Sequence, residues 1–406
     1  MEAWLEIQSP HSPAFARPVD IKNLAGSSVA FVKSKMMRIA FDYQTFSLQT
    51  YGGISRYFVR LAERLLMKQQ EVGIFAPLYR NRYANDLPPE VIHGRRVERY
   101  PPKSTRLFVQ LNRMIAKPMI RHWRPHLVHE TYYARSASAP ASCPSVVTVY
   151  DMIHELFPMD FPATDRTSTA KRIAIERAAH VICISKSTRN DLLNLFDVSE
   201  DKVSVVYLGF ERFPVRHQHA DTTSRGPRPF LLYVGNRVGY KNFSGLLAAV
   251  ASSHKLIADV DIVAFGGGKF SANEESIIAK LGFRDGQVRQ VEGDDRALGM
   301  LYDQALAFVY PSLYEGFGLP PLEAMAHGCP VISSNTSSMP EVIGDAGVYF
   351  EPSSIEEMAM AIERVVYSSE LAGELIERGS RRLDLFTWEG CADRTLDIYQ
   401  KLVGKR

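Results

Sequence analysis

Short apolar runs alternate along this chain with segments whose apolar residues recur three and four apart. Residues 36–42, Met36-Met37-Arg38-Ile39-Ala40-Phe41-Asp42, read as a buried opening strand. Ile54, Tyr57, Phe58, Leu61 and Leu65 then carry helical spacing over 54–66, directly after Tyr51-Gly52-Gly53. Strand-like runs follow at 71–75, 126–129 and 145–149, then a helix over 167–179 and a short strand at 181–184. Ser185-Lys186-Ser187 caps a helix running to Leu195, and 203–207 is a strand again. Strands alternating with helices predict a parallel sheet covered on both faces.

Residues 209–229 break the rhythm with Pro214, Pro227, Pro229 and polar filler, which predicts a linker. A second series then restarts. Strands are predicted at 230–234, 261–265, 288–291, 307–310 and 331–333, with helices at 243–252, 274–281, 296–304, 320–326 and 339–343. Residues 387–402 close the chain as a helix. The domains predicted are therefore 37–208 and 230–386, with 387–406 as a closing segment. Residues 1–36, rich in Pro, Ser and Ala, are expected to be a poorly ordered extension or the product of an upstream start. Two α/β domains about a linker make a cleft, and such sheets bind ligands at the carboxyl ends of their strands.

The 406 residues carry 46% hydrophobic and 23% charged side chains, ordinary for a globular protein. Cys143, Cys183, Cys329 and Cys391 lie far apart and form no C-x-x-C pair, so buried reduced thiols are expected rather than a zinc or redox site. No apolar run approaches the ~18 residues of a membrane span. No secretory signal is visible, and the expected location is the cytoplasm. The net charge of +3 argues against a nucleic-acid binder, but it conceals a split: residues 37–208 carry +8 and residues 209–406 carry −6.

The most informative stretch is Tyr310-Pro311-Ser312-Leu313-Tyr314-Glu315-Gly316-Phe317-Gly318-Leu319-Pro320-Pro321-Leu322-Glu323. A strand ends at Tyr310, a glycine-bearing loop carries Glu315, and the two prolines suit the start of a helix whose first turn would hold Glu323. The amides of such a helix N-terminus attract phosphate, and Gly316 and Gly318 permit close approach to the backbone. Glu315 and Glu323 can accept hydrogen bonds from hydroxyl-rich ligands. The alternative is a turn residue and a carboxylate that merely complements the helix dipole. Upstream, Arg237 and Lys241 lie beyond the end of the strand at 230–234, where cations could neutralise a departing diphosphate. Alone, they would be solvated surface cations. Asp294-Asp295 reads as solvated acid on a loop.

Glu315-x7-Glu323, with Arg237-x3-Lys241 upstream, resembles the retaining glycosyltransferases of family 4, which have the GT-B fold of two Rossmann-like domains facing across a cleft. The likeness spans about 37–402. It includes Gly52-Gly53, the Ile184-Ser185-Lys186-Ser187 region, the Gly328-Cys329-Pro330-Val331-Ile332 strand and the closing helix with Trp388. The resemblance implies that Arg237 and Lys241 hold the diphosphate of a nucleotide sugar and that Glu323 binds ribose. It places Glu315 against the donor sugar with the amides of Phe317, Gly318 and Leu319, and brings Gly52 and Gly53 near the diphosphate or acceptor. No metal or other cofactor is implied, and the closing helix is expected to cross back onto the N-terminal domain. Where many relatives carry a His that contacts the donor sugar, this chain has Tyr150, with Asp151 and His154 as neighbouring cleft candidates.

A dinucleotide-dependent dehydrogenase would want G-x-G-x-x-G after a strand, and neither Asp42-Tyr43-Gln44-Thr45 nor Gly266-Gly267-Gly268-Lys269 supplies it. A non-catalytic sugar-nucleotide binder on the same fold stays open. The Tyr150-to-Phe157 string resembles bacterial enzymes of lipopolysaccharide O-antigen or exopolysaccharide assembly. A GDP-sugar such as GDP-mannose is favoured as donor, UDP-sugars remain open, and the expected acceptor is a lipid-linked glycan. From Arg99 to His129 there is no acid, while basic residues alternate with apolar ones. This segment is expected to rest on an anionic inner membrane leaflet, with an ordinary solvated helix as the alternative.

Overall fold

The computed structural model describes residues 36–210 and 228–404. The expected extension up to residue 35 and most of the expected linker lie outside the described residues.

The first sheet contains β1 (Arg38–Asp42), β2 (Glu71–Phe75), β3 (Leu127–Glu130), β4 (Ser145–Val149), β5 (His180–Cys183) and β6 (Val203–Val205), in spatial order β2-β1-β3-β4-β5-β6. Every neighbouring pair is parallel, with Ile39 opposite Val72 on one side and Leu127 on the other. Helices cover both faces, so the strands read as continuous apolar runs rather than alternating ones. The second sheet contains β7 (Phe230–Val234), β8 (Asp261–Phe265), β9 (Val288–Val291), β10 (Ala307–Tyr310), β11 (Val331–Ser334) and β12 (Gly347–Phe350). Its order, β9-β8-β7-β10-β11-β12, repeats the pattern of the first. In each sheet the chain reverses direction beside the first strand, at β1/β3 and at β7/β10, and the reversal opens a crevice at the strands' carboxyl ends.

Parts of the structure differ from the sequence reading. β12 and the helices Ile355–Val366 and Ser369–Arg382 occupy a stretch for which no element was predicted. Asp294 is a helix cap rather than solvated loop acid: its side chain accepts from the Ala297 amide at 3.0 Å at the start of Asp295–Gln304. Glu323 stands in the second turn of Leu319–Ala326, not the first, so its carboxylate does not sit on the helix's terminal amides.

The closing helix, Trp388–Gly404, packs on Gly53–Met67 of the first domain. Lys68 pairs with Glu389 and, at 2.8 Å, with Asp393. Tyr399 hydrogen-bonds His129, whose burial holds its imidazole down to about 3 and therefore neutral. Where the chain passes between domains, the Phe210 amide donates to the Phe386 carbonyl at 2.7 Å. Cys183, Cys329 and Cys391 are buried free thiols and Cys143 is half-buried.

Candidate functional site

β7 and β10 are neighbours, so the loops leaving their carboxyl ends converge. A short 3-10 turn, Gly239–Lys241, follows β7 and ends on Asn242 in the left-handed conformation, with φ 52°. The Asn242 side chain donates to the carbonyls of Pro311, 3.2 Å away, and Pro352, 2.9 Å away, which ties this turn to the loop after β10. The result places Lys241 Nζ 2.6 Å from Glu315 Oε1. Both side chains are about nine-tenths buried. The ammonium also lies 5.4 Å from the Tyr240 ring centre and 5.8 Å from that of Tyr310. Burial and the Glu315 charge hold the Tyr310 phenol well above its ordinary range.

The Glu315 loop is fixed from behind. Its backbone amide donates to Ser337 Oγ at 2.9 Å, and the Ser338 hydroxyl lies 2.8 Å from the Glu315 carbonyl and 2.5 Å from that of Phe317. Gly318 has φ +127°, a conformation that L side chains rarely adopt, and it turns the chain into Leu319–Ala326. Glu323 follows one turn on, with Oε2 accepting from the Tyr302 hydroxyl at 3.4 Å. Burial raises the Glu323 carboxyl above its usual range, and the positive charge of Arg56 opposes that rise.

Arg237 goes elsewhere. Its guanidinium donates to Glu274 at 2.5 Å and to the carbonyls of Gly266, Gly268 and Lys269 at 2.9–3.1 Å. Its side chain is 4% exposed, so it is neither solvated nor directed at Glu315.

The N-terminal domain meets this site directly. Gly316 faces Tyr150 so closely that a Cβ there would lie 1.8 Å from the Tyr150 carbonyl oxygen and 3.0 Å from Asp151 Cβ. Its missing side chain thus serves a contact between the domains. The Ser185 and Thr188 hydroxyls donate to the Gly316 carbonyl at 2.8 and 3.2 Å. The Tyr314 hydroxyl donates to Asp191 at 2.7 Å, and Glu341 accepts from the amides of Lys186 and Ser187 at 2.7 and 3.2 Å. Ile153, Tyr240 and Tyr314 form one small apolar cluster across the boundary. A cavity of about 890 Å³ between the domains is lined by residues that include Tyr207, Tyr314, Ser337 and Glu341.

Asp151 and His154 sit at this junction. Asp151 Oδ1 accepts from the Ile153 amide at 3.1 Å, and its carbonyl accepts from Lys171 Nζ at 2.9 Å. His154 stacks on Phe161 at 4.0 Å between ring centres. Its Nδ1 is buried without a hydrogen-bond partner, and burial lowers its pKa, keeping it neutral. Tyr150 donates through its hydroxyl to the Thr131 carbonyl at 3.2 Å. Gly52 and Gly53 open the helix Gly53–Met67, whose Arg56 acts on both Glu323 and Tyr83. Arg56, Tyr83, Glu341 and Asp191 were not singled out from the sequence. Only Arg56, close behind Gly52-Gly53, carried a positional signal.

This arrangement of two Rossmann-like sheets, with facing carboxyl ends and a closing helix that crosses back, defines a GT-B glycosyltransferase fold. Sucrose-phosphate synthase from Thermosynechococcus elongatus superposes with a TM-score of 0.72 at 21% identity, over 92% of this chain and all of that one. WaaG, a glycosyltransferase involved in lipopolysaccharide biosynthesis, gives 0.63 at 18% identity over 89% and 99%. The model for "Glycosyltransferase Family 4" matches residues 51–212, and that for "Glycosyl transferases group 1" matches 215–382. Together they take in most of the chain, which belongs to glycosyltransferase family 4. The O-antigen chain mannosyltransferase B of Escherichia coli is 28% identical over 56% of this chain and 62% of its own length. The MMP α-(1→4)-mannosyltransferase of Mycolicibacterium hassiacum is 29% identical over 58% and 57%. The alignments thus span about three-fifths of those relatives.

Proposed function

We propose that the chain is a retaining glycosyltransferase that moves a sugar from a nucleoside-diphosphate donor to a glycan acceptor. The observation that carries this reading is the buried Lys241–Glu315 pair at the carboxyl ends of β7 and β10, beside the N-terminus of Leu319–Ala326. Breaking a glycosyl–phosphate bond leaves negative charge on the diphosphate and positive charge at the anomeric carbon. Lys241 and the amides of Phe317, Gly318 and Leu319 meet the former, Pro320 and Pro321 having no N–H to offer, and Glu315 lies where it can meet the latter. Arg237 joins them only by exchanging Glu274 for the diphosphate. Glu323 accepts from the ribose hydroxyls, and Gly52 and Gly53 bring backbone amides to the phosphates or acceptor. The domain contact at Gly316 excludes water and sets the acceptor hydroxyl close to the reacting carbon. A carboxylate pair acting on water is a different device, and nothing assigns Glu315 a covalent role. These groups supply the needed charge without a metal, so chelator is expected to leave transfer intact.

The two mannosyltransferase relatives favour a mannosyl donor, with GDP-mannose first and UDP-sugars second. The O-antigen relative supports a bacterial surface-polysaccharide acceptor. A lipid-linked acceptor would bring the enzyme to the inner face of the membrane, through the basic segment between Arg99 and His129. Among the described residues no helix is long and apolar enough to cross a membrane. Thermal shift against UDP- and GDP-sugars tests the donor: stabilisation by UDP but not GDP would overturn the GDP assignment. Proton NMR of the glycoside tests retention: an anomeric configuration opposite to the donor's would exclude it.

A further inference from the structure

Between Arg99 and His129 the chain forms the helix Thr105–Trp123 and then enters β3. The helix's inner face is anchored: Asn112 Oδ1 accepts from the Leu78 amide at 2.7 Å, its Nδ2 donates to the Leu78 carbonyl at 2.8 Å, and Ala116 and Ile120 are buried. The outer face has a different character. At 100° per residue, Arg106, Arg113, Lys117 and Arg121 fall within roughly 80° of one another, and Leu107 and Met114 run along the edge of that stripe. All four cations are exposed and none makes an ion pair among the described residues. Leu107 is 58% and Met114 68% exposed, large apolar side chains interleaved with positive charge.

Arg113, Lys117 and Arg121 of the stripe border an open hollow of about 360 Å³, lined also by Met114, Pro118 and Ser136. Three cations, one hydroxyl and no acid line it. That composition suits a phosphate diester, and Met114 and Pro118 supply an apolar wall beside it. Ser136 comes from the loop after β3, the loop whose Ser138 donates to Asp42 at the carboxyl end of β1 at 2.7 Å. The hollow therefore adjoins the rim of the N-terminal domain's crevice. Basic side chains beside exposed apolar ones are the composition of a helix lying in a membrane interface.

We propose that this hollow is a headgroup site for anionic phospholipid, and that Leu107 and Met114 insert beside it. This rests on the peripheral membrane contact suggested above and gives it a defined site. The geometry then turns the acceptor side of the cleft toward the bilayer, where a lipid-linked glycan would arrive.

Co-sedimentation of the full chain with vesicles tests this, using phosphatidylcholine alone and phosphatidylcholine with phosphatidylglycerol at constant ionic strength. Binding is expected only to the anionic vesicles. The combined R113Q/K117Q/R121Q variant should weaken it by about a hundredfold, each basic residue contributing roughly equally at the surface. The L107Q/M114Q variant, which keeps every charge, should also weaken it severalfold. Unchanged thermal midpoints in both variants establish that they fold. Equal binding to neutral vesicles, no binding to anionic ones, or full binding by both folded variants would overturn the site. Displacement by millimolar inorganic phosphate at fixed ionic strength would make it a free-phosphate site and overturn the lipid assignment. Transfer to a water-soluble acceptor is measured in parallel. Its absence bears on the glycosyltransferase reading, whereas loss of vesicle binding alone bears on this one.

Discussion

Gly316→Ala is the smallest change that tests whether the domain contact matters. The added Cβ would lie 1.8 Å from the Tyr150 carbonyl oxygen. A carbon and a carbonyl oxygen approach no closer than about 3.3 Å in even their favourable contacts, so the two backbones must part by roughly 1.5 Å. Neither partner is a flexible side-chain tip that could simply turn aside. Parting stretches the bonds from Ser185 and Thr188 to the Gly316 carbonyl, now 2.8 and 3.2 Å, beyond useful range. Two such bonds contribute about 1 kcal/mol each, and residual overlap adds a similar amount. The closed arrangement should therefore lose about 2–4 kcal/mol relative to an opened one.

If transfer requires closure, kcat/KM should fall by about 30- to several-hundred-fold. The thermal midpoint should move little, because no strand of either sheet is touched. Small-angle scattering should report a larger radius of gyration. Gly373→Ala is the control: Gly373 is exposed in Ser369–Arg382, a Cβ there meets nothing within 4 Å, and the change should be neutral or stabilise by up to about 1 kcal/mol. A Gly316→Ala protein with wild-type kcat/KM and an unchanged scattering profile would refute the reasoning.

Lys241→Ala leaves the Glu315 carboxylate buried without its counter-charge. It should abolish transfer and lower stability by about 3–5 kcal/mol in a denaturant melt, while Lys241→Arg recovers most of the stability. Glu341→Gln removes the negative charge from the N-terminus of Lys186–Leu195 and should shift scattering toward the open form by about 1–2 kcal/mol. Glu323 has a carboxyl raised by burial, and it must be ionised to accept from two hydroxyls. Nucleoside-diphosphate affinity should therefore be full at neutral pH and fall on acidification, starting above the ordinary glutamate range. Glu323→Gln should flatten that dependence in calorimetry, and an unchanged slope would remove Glu323 from the binding site. Arg237→Ala should raise the donor KM and loosen Gly266–Lys269, read as faster amide exchange there.

What the sequence reveals and what it conceals follow from the range of the forces involved. Parallel strands covered on both faces must be apolar throughout, so β1, β4, β7, β8 and β10 stand out as runs. Lys241 and Glu315 drew notice for a related reason: they lie in loops leaving strand ends, where a doubly wound sheet puts its ligands, and Glu323 follows in the helix after one of those loops. The helices Ile355–Val366 and Ser369–Arg382 carried the signals too, with Met358, Ile362 and Val365 at helical spacing behind a Ser354 cap, and went unread. Arg237 shows what spacing alone leaves out. Its four-residue separation from Lys241 suggested a common destination, but the chain turns between them. A cation one turn upstream then finds the carbonyls of Gly266–Lys269 closer than the crevice.

The cross-domain partners were hidden for a deeper reason. Tyr314 meets Asp191 across 123 residues and Glu341 meets Lys186 across 155, and no local pattern distinguishes these side chains from solvated ones. Their meaning exists only once two separately folded crevices are set face to face. Gly316 shows how the two scales join. In the sequence it reads as room for a ligand. In the fold that room is filled by the Tyr150 carbonyl, so one missing side chain both permits the domains to close and fixes Glu315, its neighbour, at the line where they meet. A residue chosen for such closeness constrains the site more tightly than a direct ligand does, because any larger side chain moves a whole domain.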